Sequence, residues 1–145
     1  MHVIGVDRVM IATWDIEETI GQFEELLGIS FSDIVEPTTE TESGDQAVAN
    51  VISPTGVEIL TPREDENEVT RFLEENGPGL YAMSIRVEDL DEAVDELAAK
   101  DVDPVGQYAH DDFAEAFYHP KHFGGAFVIL AEYDAPHPAV MASGG

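Results

Sequence analysis

The sequence predicts an α+β fold made of two βαβββ modules, and three observations predict it. Val6–Ala12 and Leu80–Arg86 are short apolar runs rich in β-formers that stand at one constant offset of 74 residues. At that offset Val9 falls on Met83, Ile11 on Ile85, Asp15 on Asp89, Ile16 on Leu90, Ile20 on Val94 and Phe23 on Leu97. Each run is followed at once by an acidic helix start, Asp15–Glu18 in the first half and Asp89–Glu92 in the second. Each half then closes on two extended runs joined by a turn-forming stretch. A repeat this long, present only twice, fits neither a solenoid nor a propeller and describes one domain of two similar halves.

The elements follow in order. Residues 6–13 read as a strand, and Asp15 as the cap of a helix whose first turn holds Glu17 and Glu18, where the helix dipole favours negative charge. Ile16, Ile20, Phe23 and Leu27 recur at helical spacing, and Gly28 closes the helix. Ile29–Val35 reads as a second strand and residues 36–44 as an exposed polar loop. Residues 46–53 and 57–60 flank Pro54-Thr55-Gly56 and form a hairpin. Val69, Phe72 and Leu73 mark a linker helix within residues 63–78, stopped by Asn76-Gly77-Pro78-Gly79.

In the second half, strand 80–87 leads into a helix from about Leu90 to Lys100. Val102–Val105 is extended, because the residue before Pro104 is pushed out of the helical region. Ala114–Tyr118 and Phe127–Tyr133 are strands joined by the turn-rich segment 119–125. The organisation expected is module one at about 5–62, the linker helix, module two at about 79–133, and a frayed tail over 134–145.

Composition narrows the function. With 145 residues, 43% of them hydrophobic, the chain has enough for one sizeable core. Asp and Glu number 31 against 6 Lys and Arg, a net charge of −25 spread along the chain. Such self-repulsion destabilises a compact state unless salt screens it, so adaptation to high salt is expected. Most surface carboxylates need no further explanation. The same charge argues against nucleic acid and anionic membranes as partners. There is no cysteine, hence no disulfide, thiolate nucleophile or cysteine metal site. No basic-then-apolar leader and no apolar run of spanning length is seen, which makes the cytoplasm the expected location.

The repeated strand-helix-three-strand pattern, the hairpin ending Val57-Glu58-Ile59-Leu60, and the last strand introduced by His119-Pro120-Lys121 and Gly124-Gly125 resemble the vicinal oxygen chelate superfamily. Phe72-Leu73 with Asn76–Leu80, and the His119–Lys121 turn, look most like its methylmalonyl-CoA epimerase branch. The resemblance covers about residues 5–133. It implies a curved mixed sheet around a shared cavity, a homodimer, and a divalent metal held by a ligand on the first and last strand of each half. Carried over position by position, those ligand places are Arg8, Glu58, Ala82 and Ile129, of which Glu58 alone can bind a metal. The resemblance therefore implies the fold without the usual ion, and no cofactor is expected.

Alternation of side chains along a strand gives a second view of the same positions. Val9 and Ile11 should face the helix, leaving Arg8, Met10 and Ala12 on the other side. Likewise Glu58 and Leu60 oppose Val57 and Ile59, while Ala82, Ser84 and Arg86 oppose Met83 and Ile85. Phe127, Ile129 and Ala131 oppose Val128 and Leu130. The expected ligand-binding set is Met10, Leu60, Ala82, Ser84, Arg86, Phe127 and Ile129, with Trp14, Gln46 and Asn50 at its margin. For those last three, packing or solvent contact competes.

Arg8 is one of only six basic residues. Its planar fork suits a carboxylate, a thioester oxygen or an enolate. Two readings follow for a small carbonyl- or carboxylate-bearing ligand, an acyl-CoA among them. In one, an isomerase, epimerase or lyase uses Arg8 for the oxyanion and Glu58 for the proton. In the other, a bleomycin-resistance-type protein sequesters its ligand, and Arg8 and Glu58 form an internal salt bridge filling the vacated site. A rival metal site would draw on His110, Asp111, Asp112, His119 and His122. The spacing of His119 and His122 lies in a turn, where such residues share no helical face. Glycine-loop phosphate binding and a serine nucleophile elbow find no support.

Overall fold

The computed structural model describes residues 1–37 and 47–134. Among them are three α-helices and seven strands: β1 (Val3–Ala12), α1 (Ile16–Leu27), β2 (Val48–Ile52), β3 (Val57–Pro62), α2 (Glu68–Asn76), β4 (Gly79–Val87), α3 (Leu90–Ala98), β5 (Gly106–His110), β6 (Phe113–Tyr118) and β7 (Phe127–Glu132). The strands run in the order β2-β3-β1-β4-β7-β6-β5 as one mixed sheet, with β4 and β7 parallel and the β2-β3, β5-β6 and β6-β7 pairs antiparallel. This is the expected α+β arrangement. Most of the polar loop expected at 36–44, Gln46, and the tail from residue 135 lie outside the described residues.

Chain contacts divide the molecule into two compact units. Among the described residues one contains Met1–Val9 and those from Ala82 to Asp134, the other Met10–Tyr81. The division cuts β1 and β4 rather than the linker helix. The opening of β1 belongs with the second half of the sequence, and Glu88 N–H donates to the His2 carbonyl at 3.1 Å.

In the first unit the core forms where α3 lies on the sheet. Leu90 and Ala93 of the helix meet Val87, Ala116, Tyr118, Val128 and Leu130, with Ile85, Val94 and Leu97 packed around them. Asp89 caps α3 by accepting from Glu92 N–H at 3.0 Å. The second unit repeats the plan. Ile16 of α1 packs on Val51 and Ile59, with Ile20, Phe23 and Val57 at the edge. Asp15 accepts from Glu18 N–H, and Gly28 ends α1 at φ 69°, a left-handed angle that costs glycine little.

Two expectations for elements change. Ile29–Val35 is not a strand but a segment that meets β2 at the bridge of Val35 with Asn50 and at Ser32, whose N–H donates to the Ile52 carbonyl at 2.9 Å. Ser32 explains the interruption: its hydroxyl accepts from Ile52 N–H at 3.1 Å, so a side chain takes a ladder position there. The second strand of the second half is Gly106–His110, beyond the extended segment Val102–Val105. That sequence lacks the β-branched residues that announce a strand. Its partner turn is Asp111-Asp112, with Asp111 at φ 54°.

Candidate functional site

Residues opposite one another in a ladder share a face of the sheet. In the first unit Ala82 lies opposite Phe127, Ser84 opposite Ile129 and Arg86 opposite Ala131. Ala131 and Ile129 in turn face Glu115 and Phe117 of β6, and Glu115 faces Tyr108 of β5. The alternate residues are those packed on α3. The helix-averted face of this unit thus carries Ser84, Arg86 and Glu115 among Phe117, Phe127 and Ile129, the parity expected for every one of these that the sequence reading had placed.

Arg8 is 6% exposed and its guanidinium is tied at both ends. Nη2 donates to Glu115 Oε2 at 2.6 Å, while Nη1 donates to Asp7 Oδ2 at 2.8 Å and to Ser84 Oγ at 3.3 Å. Glu115 is itself 8% exposed. Charge-assisted bonds of this length, out of water, fix the plane of the fork firmly.

Asp7 carries the network onward, because the Tyr133 hydroxyl donates to its Oδ1. Tyr133 sits just past β7, in ring contact with Phe113. Above its ring lies Arg86, with Cζ 4.2 Å from the centroid, and Arg86 Nη2 donates to the Tyr133 carbonyl at 2.8 Å. Burial, followed by the hydrogen bond to Asp7 and that residue's charge, pushes the Tyr133 phenol up to about 12, against a smaller opposing pull from Arg86 and Arg8. The hydroxyl therefore remains a donor throughout the neutral range.

In the second unit, Glu58 stands opposite Ile52 and Leu60 opposite Asn50, on the face averted from α1. Glu58 is buried, and its Oε2 accepts from Asn50 Nδ2 at 3.3 Å. Met10 and Leu60 are buried here too. Trp14 is 53% exposed, and its carbonyl accepts from the Thr61 hydroxyl.

Asp7, Glu115 and Tyr133 were missed by sequence reasoning. For Glu115 a signal existed: in Phe113–Tyr118 it shares alternation with Phe113 and Phe117, so a carboxylate interrupts an aromatic face. For Asp7 and Tyr133 the sequence carries no such signal.

The histidine candidates separate into structural roles. His119 caps a 3₁₀ turn at Pro120–His122, its Nδ1 accepting from Lys121 N–H at 3.0 Å. His110 and Asp111 are exposed at the β5-β6 hairpin. Among the described residues no three His, Asp or Glu side chains gather as a metal site.

A fold of paired strand-helix-strand halves with polar groups set on the helix-averted face defines a class, and the family comparison agrees. Residues 7–118 match the glyoxalase/bleomycin resistance protein/dioxygenase superfamily, and the chain belongs to it. Among its relatives are mitochondrial methylmalonyl-CoA epimerases of Dictyostelium discoideum, 29% identical over 88% of this chain and 77% of the relative, and of Mus musculus, 28% identical over 88% and 72%. The Mycobacterium tuberculosis methylmalonyl-CoA epimerase structure superposes with a TM-score of 0.73 at 26% identity, covering 97% of this chain and 93% of that one. A Streptomyces coelicolor methylmalonyl-CoA epimerase variant in complex with 2-nitronate-propionyl-CoA shares the fold at a TM-score of 0.71 and 20% identity, over 92% and 99%.

Proposed function

We propose that the protein binds a small carbonyl- or carboxylate-bearing ligand, of which an acyl-CoA thioester is the favoured class, and acts on it as an isomerase or epimerase without a metal. One observation carries this reading. A buried guanidinium, that of Arg8, occupies a position where the family resemblance places a metal ligand, and its fork is held rigid by Asp7, Ser84 and Glu115.

The donor set does not fit a divalent ion. Of the four positions carried over from the resemblance, Ala82 and Ile129 offer only hydrocarbon, and Arg8 brings a positive charge already bonded to two carboxylates. Glu58 alone is a ligand type, and one carboxylate does not make a site. No step is routed through a metal.

The chemistry assigned to Arg8 is stabilisation of charge on a carbonyl oxygen. When the proton α to a thioester is removed, the electrons of the C–H bond pass to the oxygen as an enolate, and donors already aimed at that oxygen lower the barrier. Glu58, buried on the helix-averted face of its own unit, is assigned the proton, on its chemistry alone. Return of the proton gives the epimer or isomer; departure of a β-substituent instead would make the protein a lyase.

The alternative is a binding protein that performs no reaction. It is favoured by the same contacts read differently, since two carboxylates already offset the charge of Arg8. Incubation with methylmalonyl-CoA and a panel of other acyl-CoA thioesters in deuterium oxide separates the two. Exchange at the α-carbon, reduced on the order of 10²-fold or more in Arg8→Ala and in Glu58→Gln, supports the enzyme. Saturable binding without exchange assigns the protein to the second class, and neither binding nor exchange removes acyl-CoA as the ligand.

A further inference from the structure

Arg86 differs from every other basic side chain of this protein. Arg8 is paired with Asp7 and Glu115, Arg63 with Glu36, and Arg71 with Glu68. Lys100 and Lys121 are exposed to water. Arg86 is partly buried on the same sheet face as Ser84 and Glu115, yet it makes no ion pair among the described residues. In a chain with 31 acidic residues a carboxylate partner would be easy to supply. Instead the guanidinium rests on the Tyr133 ring and gives one N–H to a backbone carbonyl, while its Nε lies buried without an acceptor.

These groups compensate a partly desolvated cation only in part. A ring face offsets part of the lost hydration, and a buried donor left without a partner costs more than a made hydrogen bond contributes net. The neighbouring cluster cannot take the same role. The charge of Arg8 is already offset by carboxylates, whereas that of Arg86 is not.

We propose that Arg86, held over the Tyr133 ring, is the anion anchor of the ligand site, binding carboxylate or phosphate oxygens through the guanidinium N–H groups that no acceptor among the described residues takes. Arg8 is left to a neutral carbonyl. The acyl-CoA arms of the test below rest on the function proposed above; the arms with free anions do not.

The test compares wild type, Arg86→Gln and Arg86→Lys by calorimetry with methylmalonyl-CoA, propionyl-CoA and propionyl-pantetheine. If Arg86 holds an acyl carboxylate, methylmalonyl-CoA binds roughly tenfold or more tightly than propionyl-CoA, and Arg86→Gln erases the difference while Arg86→Lys retains part of it. If it holds a coenzyme phosphate, the step from propionyl-pantetheine to propionyl-CoA is the one erased. Should wild type bind none of the three, the acyl-CoA reading fails, and malonate and inorganic phosphate decide the present one. Saturable binding of either, lost in Arg86→Gln, supports it. Protection of wild-type Arg86 from phenylglyoxal by the bound anion, read by peptide mass, gives a result that does not depend on the variant folding. Equal affinities in wild type and Arg86→Gln, or no anion binding and no protection, overturn it.

Discussion

Glu115 and Arg8 stand 107 residues apart in sequence and 2.6 Å apart in space, Oε2 to Nη2, both out of water. Neither is satisfied by solvent, so each depends on the other. Removing the acid strands the cation, and breaking a buried pair from one side costs about 3–5 kcal/mol in other proteins. Asp7 remains on Nη1 and moderates the loss. Glu115→Ala should lower stability by about 2–3 kcal/mol in urea unfolding. Arg8→Met with Glu115→Leu should recover part of it, because an apolar pair of similar volume removes both charges of the pair, while Asp7, which loses Arg8, keeps the Tyr133 hydroxyl as a donor. A double variant as unstable as Glu115→Ala would mean the pair contributes through shape rather than charge.

The proposal that no metal is held at Arg8, Ala82 and Ile129 has a simple consequence. Dialysis against EDTA should leave the thermal midpoint and any α-proton exchange unchanged. Elemental analysis of protein purified without added metal should find well under one ion per chain. Stoichiometric zinc, cobalt or manganese would redirect attention to Glu58 and the exposed histidines.

The alkaline limb of stability should report Tyr133. Its folded-state phenol titrates near 12 against an ordinary value of 10, with burial the largest cause. The folded form then holds its proton more tightly than the unfolded one. The resulting stabilisation is complete below pH 10 and falls away as pH rises from about 10 toward 12. Tyr118, raised in the same direction by burial and by Asp103, adds to that slope. Unfolding followed in this window should steepen for wild type and flatten for Tyr133→Phe, which also deprives Asp7 of a donor. Equal slopes would mean the Tyr133 hydroxyl titrates as in water.

Much of this architecture was readable from the chain, and the reasons differ by residue. Asp15 and Asp89 announce their helices because a cap and an acidic first turn are local features. The two faces of β4 and β7 follow from alternation, since Ile85, Val128 and Leu130 are apolar where α3 covers them. The partners of Arg8 were not legible. A strand's parity says which side a residue takes but not which residue of a strand 107 positions away stands opposite it. In a chain this acidic, Glu115 and Asp7 look like any of the other carboxylates until the register is known. The split of β1 between compact units is hidden for the same reason, because pairing across the sheet leaves no mark within the strand. Ser32 shows the converse limit: one hydroxyl bonding to Ile52 is enough to turn an expected strand into an irregular segment.

The net charge of −25 bears on every measurement above. Most of the acids are exposed, as in Glu64–Glu66 and Asp91-Glu92. Their repulsion acts over a Debye length of about 10 Å at 0.1 M salt and about 3 Å at 1 M. The buried pair of Arg8 and Glu115 is little screened at either concentration, whereas exposed repulsion is largely removed. Raising KCl from 0.1 to 2 M should therefore raise the thermal midpoint by about 10 °C or more, a shift corresponding to a few kcal/mol for a domain of this size. The same titration on Glu115→Ala should show a parallel rise from a lower start. A midpoint that falls with salt would mean that attractive surface pairs such as Arg63 with Glu36, rather than repulsion, dominate the exposed charge.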